Sequence, residues 1–350
     1  MAENYYRERN AANVKKIREL RENLPIFCTE FFLGIEPRTT PLTRLNYCYD
    51  LKAFFEFISQ LKYGNKPIRV ISLTDLDGVT TTDLELFLEH LTSYEDSSGK
   101  THACAERSKA RHLSCVKSLC RYFFRKDKLH ANVAANVDLP KLHDKEIIRL
   151  EVDEVVKLLD ETESGGRLTE RQRHFHSRTK IRDTALLTLL LGTGIRVSEC
   201  VGLNVEDFDF QTNGFKVIRK GGSSTILYFS DEVALAIKTY INVRKDLLDV
   251  NSEECALFVS LQKKRITTRA VQVLVKKYSK LITPLKKITP HKLRSTYGTS
   301  LYRETKDIYI VADVLGHRDV NTTKKHYAAI SDDLRRDVAN KIKLREDDKA

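Results

Sequence analysis

No stretch of this 350-residue chain is apolar for anything near the roughly 18 residues needed to cross a bilayer, which argues against a membrane-spanning helix. The opening MAENYYRERNAANVKKIREL is charged throughout and has no apolar signal core, so export is not expected. Cysteine is sparse and odd in number: seven residues, at 28, 48, 104, 115, 120, 200 and 255, with no CxxC pair. That spacing argues against a disulfide framework and suggests no metal site. All seven are expected as reduced thiols of a cytoplasmic protein. There is no internal repeat and no low-complexity tract.

What the chain does have is length for about two domains and an ordinary apolar content of 41%, enough for a sizeable core. It also carries a net charge of +12 and a pI near 9.2, which favour a polyanionic partner. A membrane surface is the competing partner on charge alone.

The first 138 residues read as helical. Residues 11–33 form one pattern with a break or kink at Pro25. Thr43 to Leu61 repeats apolar residues at helical spacing, and a helix from Asp83 to Leu91 is capped by Thr81 or Thr82. SYEDSSGK (93–100) is a polar loop. A helix from Ala103 to Phe124 carries an apolar face and a basic face of Arg107, Lys109, Arg111, Lys117 and Arg121.

DLPKLHDKEIIR (138–149) has charge, Pro140 and little periodicity, which makes 139–149 the linker. From residue 150, Val152 to Leu159 is helical, and 161–180 reads as a basic, Gly-containing insertion. Ile181 to Leu191 is a strongly apolar helix ended by Gly192 and Gly194. Phe208–Phe210, Phe215–Ile218 and Thr225–Phe229 read as short strands joined at Asn213-Gly214 and Gly221-Gly222. Helices are expected over Asp231–Leu248 and Thr267–Ile282, the second exposing Lys276, Lys277 and Lys280, with a short strand at Leu257–Val259 between them. The fold class is therefore mainly α (α+β): a helical N-terminal domain, 1–138, and a mixed helical domain, 150–350, with a small antiparallel sheet.

Residues 289–327 concentrate chemistry. Thr289 can cap a helix whose first turn holds Pro290, which puts His291 and Arg294 on one face near an anion-attracting N-terminus. A second helix, about Asp307 to Val314, ends at Gly316, with His317 in the turn and Tyr327 one short segment later. Two histidines, an arginine and a tyrosine on consecutive short elements suit a phosphate and a nucleophile.

The motifs HKLR, LGH and a tyrosine about ten residues on resemble the C-terminal signature of the tyrosine recombinases, the phage integrase and Xer-like family. TGIRVSE (193–199) resembles the family's first-arginine motif, and the Lys220-Gly221-Gly222 turn its hairpin lysine. The helical N-terminal domain resembles, less specifically, the family's core-binding domain. The resemblance implies a site-specific DNA recombinase or integrase working through a 3′-phosphotyrosine, with neither metal nor ATP and no cofactor. It implies six catalytic residues: Arg196, Lys220, His291, Arg294, His317 and Tyr327. Arg196 and Arg294 would fork onto the phosphoryl oxygens, Tyr327 attack, and His291 handle its proton. Lys220 would protonate the leaving 5′ oxygen and His317 donate to a phosphoryl oxygen. Tyr297, Tyr302 and Tyr309 are rivals for the nucleophile, and Lys216 and Arg219 share the hairpin with Lys220. Glu199 has a family-like position after Arg196.

The implied partners are double-stranded DNA and copies of this chain, a dimer per site and a tetrameric synapse, with no membrane; the implied location is cytoplasmic and nucleoid-associated. The basic face at 107–121 is expected to touch DNA. A final helix, Asp332 to Leu344, carries a stripe of Leu334, Val338 and Ile342 too narrow for a core, and is expected to dock on a neighbouring protomer. With no small domain ahead of the first helices, a Xer-like or transposon-type arrangement is expected. The alternatives are a type IB topoisomerase-like relaxing enzyme and a catalytically silent DNA-binding regulator.

Overall fold

The computed structural model describes residues 2–95, 99, 101–141, 147–219, 222–248, 252–317, 319 and 320. By contact the chain divides into two compact units, Asn4–Lys145 and Glu146–Ala350 (the latter grouped with Met1–Glu3), and the break between 145 and 146 falls within the 139–149 segment.

Among its described residues the N-terminal unit has six α-helices and three short 3-10 helices. The first, α1 (Ala2–Arg21), starts well before residue 11, and α2 (Cys28–Ile35) is a separate helix. Pro25 therefore lies between helices and kinks neither, as its missing N–H and ring favour. Thr40 starts α3 (Pro41–Lys62), its hydroxyl accepting from Thr43 N at 3.2 Å, with Pro41 in the first turn, where an N–H has no partner to find. A short unexpected helix, α4 (Leu73–Asp77), is held by a Ser72–Asp75 capping box. The same device starts α5 (Thr81–His90), so the cap is Thr80 and neither Thr81 nor Thr82. The polar loop is pinched into a hairpin of β1 (Tyr94–Glu95) and β2 (Thr101–His102), with the Tyr94 and His102 rings stacked 5.4 Å apart. The last helix, α6 (Glu106–Phe124), begins three residues later than expected.

Its core is aromatic. Phe27 meets the edges of Phe55 and Phe123 at 5.9 and 5.4 Å, and Phe54 meets Phe87 at 5.4 Å. Leu113, Val116, Leu119 and Phe123 of α6 are fully buried, as the apolar spacing predicted; each such side chain contributes about 1.5–3 kcal/mol. Cys28, Cys48, Cys115 and Cys120 are buried free thiols, and burial pushes Cys48 and Cys120 up to about 12. They pack as small apolar groups.

The C-terminal unit is organised around α8 (Glu170–Thr193), whose second half buries Ala185, Leu186, Leu187, Leu189 and Leu190 in near-unbroken sequence. Against it lie α7 (Val152–Ser164), α10 (Asp231–Arg244) and α12 (Pro290–Thr305). Gly192 belongs to α8 and does not end it; a Cβ there would sit 2.5 Å from Val233 Cγ2, so the glycine admits α10.

The 161–180 stretch is not an insertion. It completes α7, turns at Gly165, and restarts as α8 behind a Thr169–Gln172 capping box. Its helical face was hard to see because its buried members are polar. His176 pairs with the Thr162 carbonyl at 2.8 Å, and Asp183 accepts from Thr179 Oγ1, Arg182 and Tyr278 Oη. Such burial is tolerated because the groups are hydrogen-bonded.

The sheet runs β3 (Phe208–Asp209), β4 (Gly214–Ile218), β5 (Ser224–Tyr228), all antiparallel, with Phe215 paired to Phe208 and Leu227. Residues 257–259 form no strand; isolated bridges join Asn204 to Ala256 and Val259 to Arg265. In α11 (Thr268–Ile282) Lys276 and Lys280 are exposed, but Lys277 is not: its ammonium sits 3.5 Å from Asp183 and 3.9 Å over the Tyr278 ring. Finally α13 (Ile308–Leu315) packs on α12. The expected helix Asp332–Leu344 lies outside the described residues. Among the described residues, no helix is long and apolar enough to cross a membrane.

Candidate active site

Three short elements meet at the end of α13. Asp307 caps its start, Oδ1 accepting from Tyr309 N at 2.7 Å and Ile310 N at 3.3 Å. Its end is a Schellman turn: Gly316, at φ +60°, donates to Asp313 O at 2.8 Å, and His317 N donates to Ala312 O at 2.9 Å. The turn fixes the direction in which His317 leaves the helix. It also leaves the carbonyls of Val314, Leu315 and Gly316 without helical partners, at the negative end of the helix dipole.

Guanidinium groups from three other elements satisfy these carbonyls. Arg196 stands at the start of α9 (Val197–Cys200), placed there because Gly194 ends α8 in the left-handed region, at φ +61°. Its Nη2 donates to Gly316 O at 3.0 Å. Arg294, in the second turn of α12, is 3% exposed; its Nη1 donates to Gly194 O at 2.8 Å and its Nη2 to Leu315 O. Arg219, just past β4, donates from Nη2 to Val314 O at 2.7 Å and from Nη1 to Leu315 O at 3.5 Å. Glu199, 2% exposed, ties two of the three together. Its Oε1 accepts from Arg196 Nη1 at 2.8 Å, and its Oε2 accepts from Arg196 N at 2.9 Å and Arg219 Nη1 at 3.4 Å.

The structure thus brings Arg196, Arg294 and His317 to one turn. His291 lies one helical turn before Arg294 and is exposed. Thr289 holds the N-cap position of α12, but its side chain makes no capping bond; its carbonyl accepts from Lys292 N and Leu293 N at 2.8 and 3.1 Å. Lys220 and Tyr327 lie outside the described residues. Among the rival tyrosines, Tyr297 is half-buried and burial raises its pKa, which disfavours the phenolate. Tyr302 packs with it against Val311 and Leu315, and Tyr309 is exposed.

Glu199 and Arg219 were not among the sequence candidates for the site. Arg219 had a signal. Phe215 and Val217 are buried and Lys216 is exposed, so position 219 falls on the inward parity of its strand. A charged residue there needs a buried partner, and Glu199 is that partner.

Of the basic residues on α6, three are engaged within their own unit. Lys109 pairs with Glu106 at 3.0 Å, Lys117 Nζ donates to Val137 O at 2.5 Å, and Arg111 pairs with the buried Asp50 at 2.8 Å. Arg107 and Arg121 are exposed, and Arg121 lines a 410 Å³ hollow with Arg38, Arg125 and Lys126.

The Gly194 turn is the local feature most sensitive to substitution. A Cβ there would lie 2.4 Å from Tyr297 Cδ1 and 3.1 Å from Leu315 Cδ2, in a backbone region that already disfavours it. Gly194→Ala is expected to lower stability by about 2–4 kcal/mol, strain and overpacking together, read as a drop in the urea midpoint at unchanged m. A midpoint within error of wild type would mean that the turn is not held as described.

Residues 148–333 match the phage integrase family. Over 325 residues the chain is 31% identical to the tyrosine recombinase XerC of Caldanaerobacter subterraneus subsp. tengcongensis, covering 90% of this chain and 85% of that protein. It is 27% identical to the tyrosine recombinase XerS of Streptococcus agalactiae, covering 91% and 96%. Among solved structures, it resembles the XerH site-specific recombinase bound to a palindromic difH substrate in a post-cleavage complex, with a TM-score of 0.64 at 17% identity, covering 86% and 80%. It also resembles the Tn1549 transposon integrase in complex with transposon right end DNA, with a TM-score of 0.61 at 19% identity, covering 86% and 94%. These two likenesses concern the fold.

Proposed function

The chain belongs to the phage integrase family and is a site-specific DNA recombinase, and from that premise we propose that it cleaves and rejoins duplex DNA through a 3′-phosphotyrosine on Tyr327. The observation that carries this reading is the cluster at the end of α13: Arg196, Arg219 and Arg294 anchored on three consecutive carbonyls, with Glu199 shared between two of them. Guanidiniums held this way are fixed donors with five N–H groups each, and they do not lose their proton. A phosphodiester gathers charge on its non-bridging oxygens as it is attacked, and preorganised donors aimed at that charge are the largest catalytic term in many enzymes.

Each proposed role follows from residue chemistry. Arg196 and Arg294 hold the scissile phosphate. Tyr327 Oη attacks phosphorus as its proton passes to His291; the P–O5′ bond breaks and Lys220 protonates the departing oxygen. His317, held at the turn, donates to a phosphoryl oxygen. One phosphodiester replaces another, so a 5′ hydroxyl can reverse the step without ATP. The N-terminal unit serves as a DNA-binding domain through Arg107 and Arg121, with Lys109, Arg111 and Lys117 acting mainly within the fold. Two copies occupy a site, four form the synapse, and Asp332–Leu344 docks on a neighbour.

Strand exchange on two labelled duplexes tests the reading. Covalent capture on a nicked site together with exchange between duplexes is expected. Capture with relaxation of supercoils but no exchange would favour a topoisomerase, and binding without capture a silent regulator.

DNA binding should weaken steeply with salt. A footprint of about six phosphate contacts gives a loss of roughly 10³ in affinity between about 50 and 200 mM monovalent salt. A flat affinity over that range would mean that the +12 charge is not an interface.

A further inference from the structure

We infer that Arg219 is a positioning residue of the recombinase site, sharing the Glu199 carboxylate with Arg196 so that the set keeps a net positive charge toward the phosphate; the inference rests on the proposed role of Arg196. Arg196 and Glu199 alone would form a neutral pair, with the carboxylate 2.8 Å from Arg196 Nη1 and 2% exposed. At that burial the carboxylate would cancel most of the charge a phosphate meets. Arg219 changes the balance. It reaches the other oxygen of the same carboxylate at 3.4 Å, so two cations share one anion and the set keeps a net positive charge.

Three further observations place Arg219 for this task. Its side chain is 10% exposed, so solvent does not screen the pairing away. Its guanidinium is steered by the Val314 and Leu315 carbonyls, and its backbone closes the hairpin turn, Arg219 N donating to Ser223 O at 2.8 Å and Gly222 N to Arg219 O at 3.0 Å. Gly316 is shaped to it: a Cβ at 316 would stand 3.0 Å from Arg219 Cζ. Burial lowers the Arg219 pKa, and the carboxylates of Glu199 and, less strongly, Asp313 oppose that. A charge this deep is costly unless it is paired and hydrogen-bonded, as Arg219 is to Glu199 and the Val314 carbonyl.

The test is single-turnover cleavage of a nicked half-site by Arg219→Met, Glu199→Gln and the double variant, with half-site affinity and circular dichroism measured alongside. R219M is expected to cleave about 10–100-fold more slowly, the range for loss of one preorganised charge effect, with affinity changed less than about threefold. Glu199→Gln added to R219M is expected to restore about tenfold of that rate, because the uncompensated carboxylate is gone while Gln still accepts from Arg196 Nη1. A purely structural role for Arg219 does not give that rescue. Wild-type cleavage by R219M, or a double variant no faster than R219M, would overturn the inference. If R219M does not fold, Arg219→Gln/Glu199→Gln is compared with Glu199→Gln alone. Similar rates support the charge-sharing role, and a further loss of about tenfold overturns it. If the wild-type chain forms no covalent adduct, the failure belongs to the proposed function and not to Arg219.

Discussion

Tyr327→Phe is expected to bind its DNA with wild-type affinity and to form no covalent adduct. The substitution keeps the ring and removes only the attacking oxygen. Loss of a nucleophile that acts as one unit with its neighbours costs at least about four orders of magnitude in rate. The competing tyrosines give this prediction its edge. Tyr297 lies nearest the arginines in sequence, but it is packed against the α13 cluster and burial raises its pKa. Tyr309 is exposed but stands in the first turn of α13, at the opposite end of that helix from the carbonyls that hold the arginines. Covalent trapping by the Phe variant on a nicked substrate would move the nucleophile to another tyrosine.

Arg196→Ala and Arg294→Ala are each expected to reduce cleavage by about 10²–10³, the loss that follows removal of one donor group aimed at developing charge. They should part in stability. Arg294 is buried, and its loss strands the carbonyl of Gly194 and leaves that of Leu315 with only the longer bond from Arg219. Buried acceptors left without donors cost about 1–3 kcal/mol, so Arg294→Ala should also unfold at lower urea. Arg196 is 29% exposed and shares its carboxylate with Arg219, so Arg196→Ala should lose chemistry while keeping most of the fold. Near wild-type cleavage by either variant would contradict the assigned site. Equal destabilisation by both would contradict the burial argument.

Much of this was legible in the chain because local chemistry and tertiary use agree. The apolar spacing of α6, the glycine ends of α8 and α13, and the strands around Asn213 all follow rules that act within a few residues. The arginine motif TGIRVSE was legible through its resemblance to the family's, and the left-handed Gly194, at φ +61°, is what turns the chain into Arg196. What could not be read depended on partners far along the chain. The first half of α8 hides its inward face behind His176, Thr179 and Asp183, polar residues that become satisfied only once Thr162 and Tyr278 arrive. Lys277 looks like a surface lysine until Asp183 is beside it. Arg219 reads as a hairpin charge, and only the return of α13, almost a hundred residues later, supplies the carbonyls that explain its inward parity. The basic face of α6 reads as one stripe, yet Asp50, Glu106 and the Val137 carbonyl each take a member of it.

The most direct test of the central claim is to trap the wild-type protein on a nicked suicide duplex carrying a site selected from a genomic pool, digest the adduct, and locate the nucleotide-linked residue by mass spectrometry. The account predicts a 3′-phosphate ester on Tyr327, its yield lost in Arg196→Ala. A linkage on Tyr297, Tyr302 or Tyr309, or binding of the site with no covalent product at all, would contradict it.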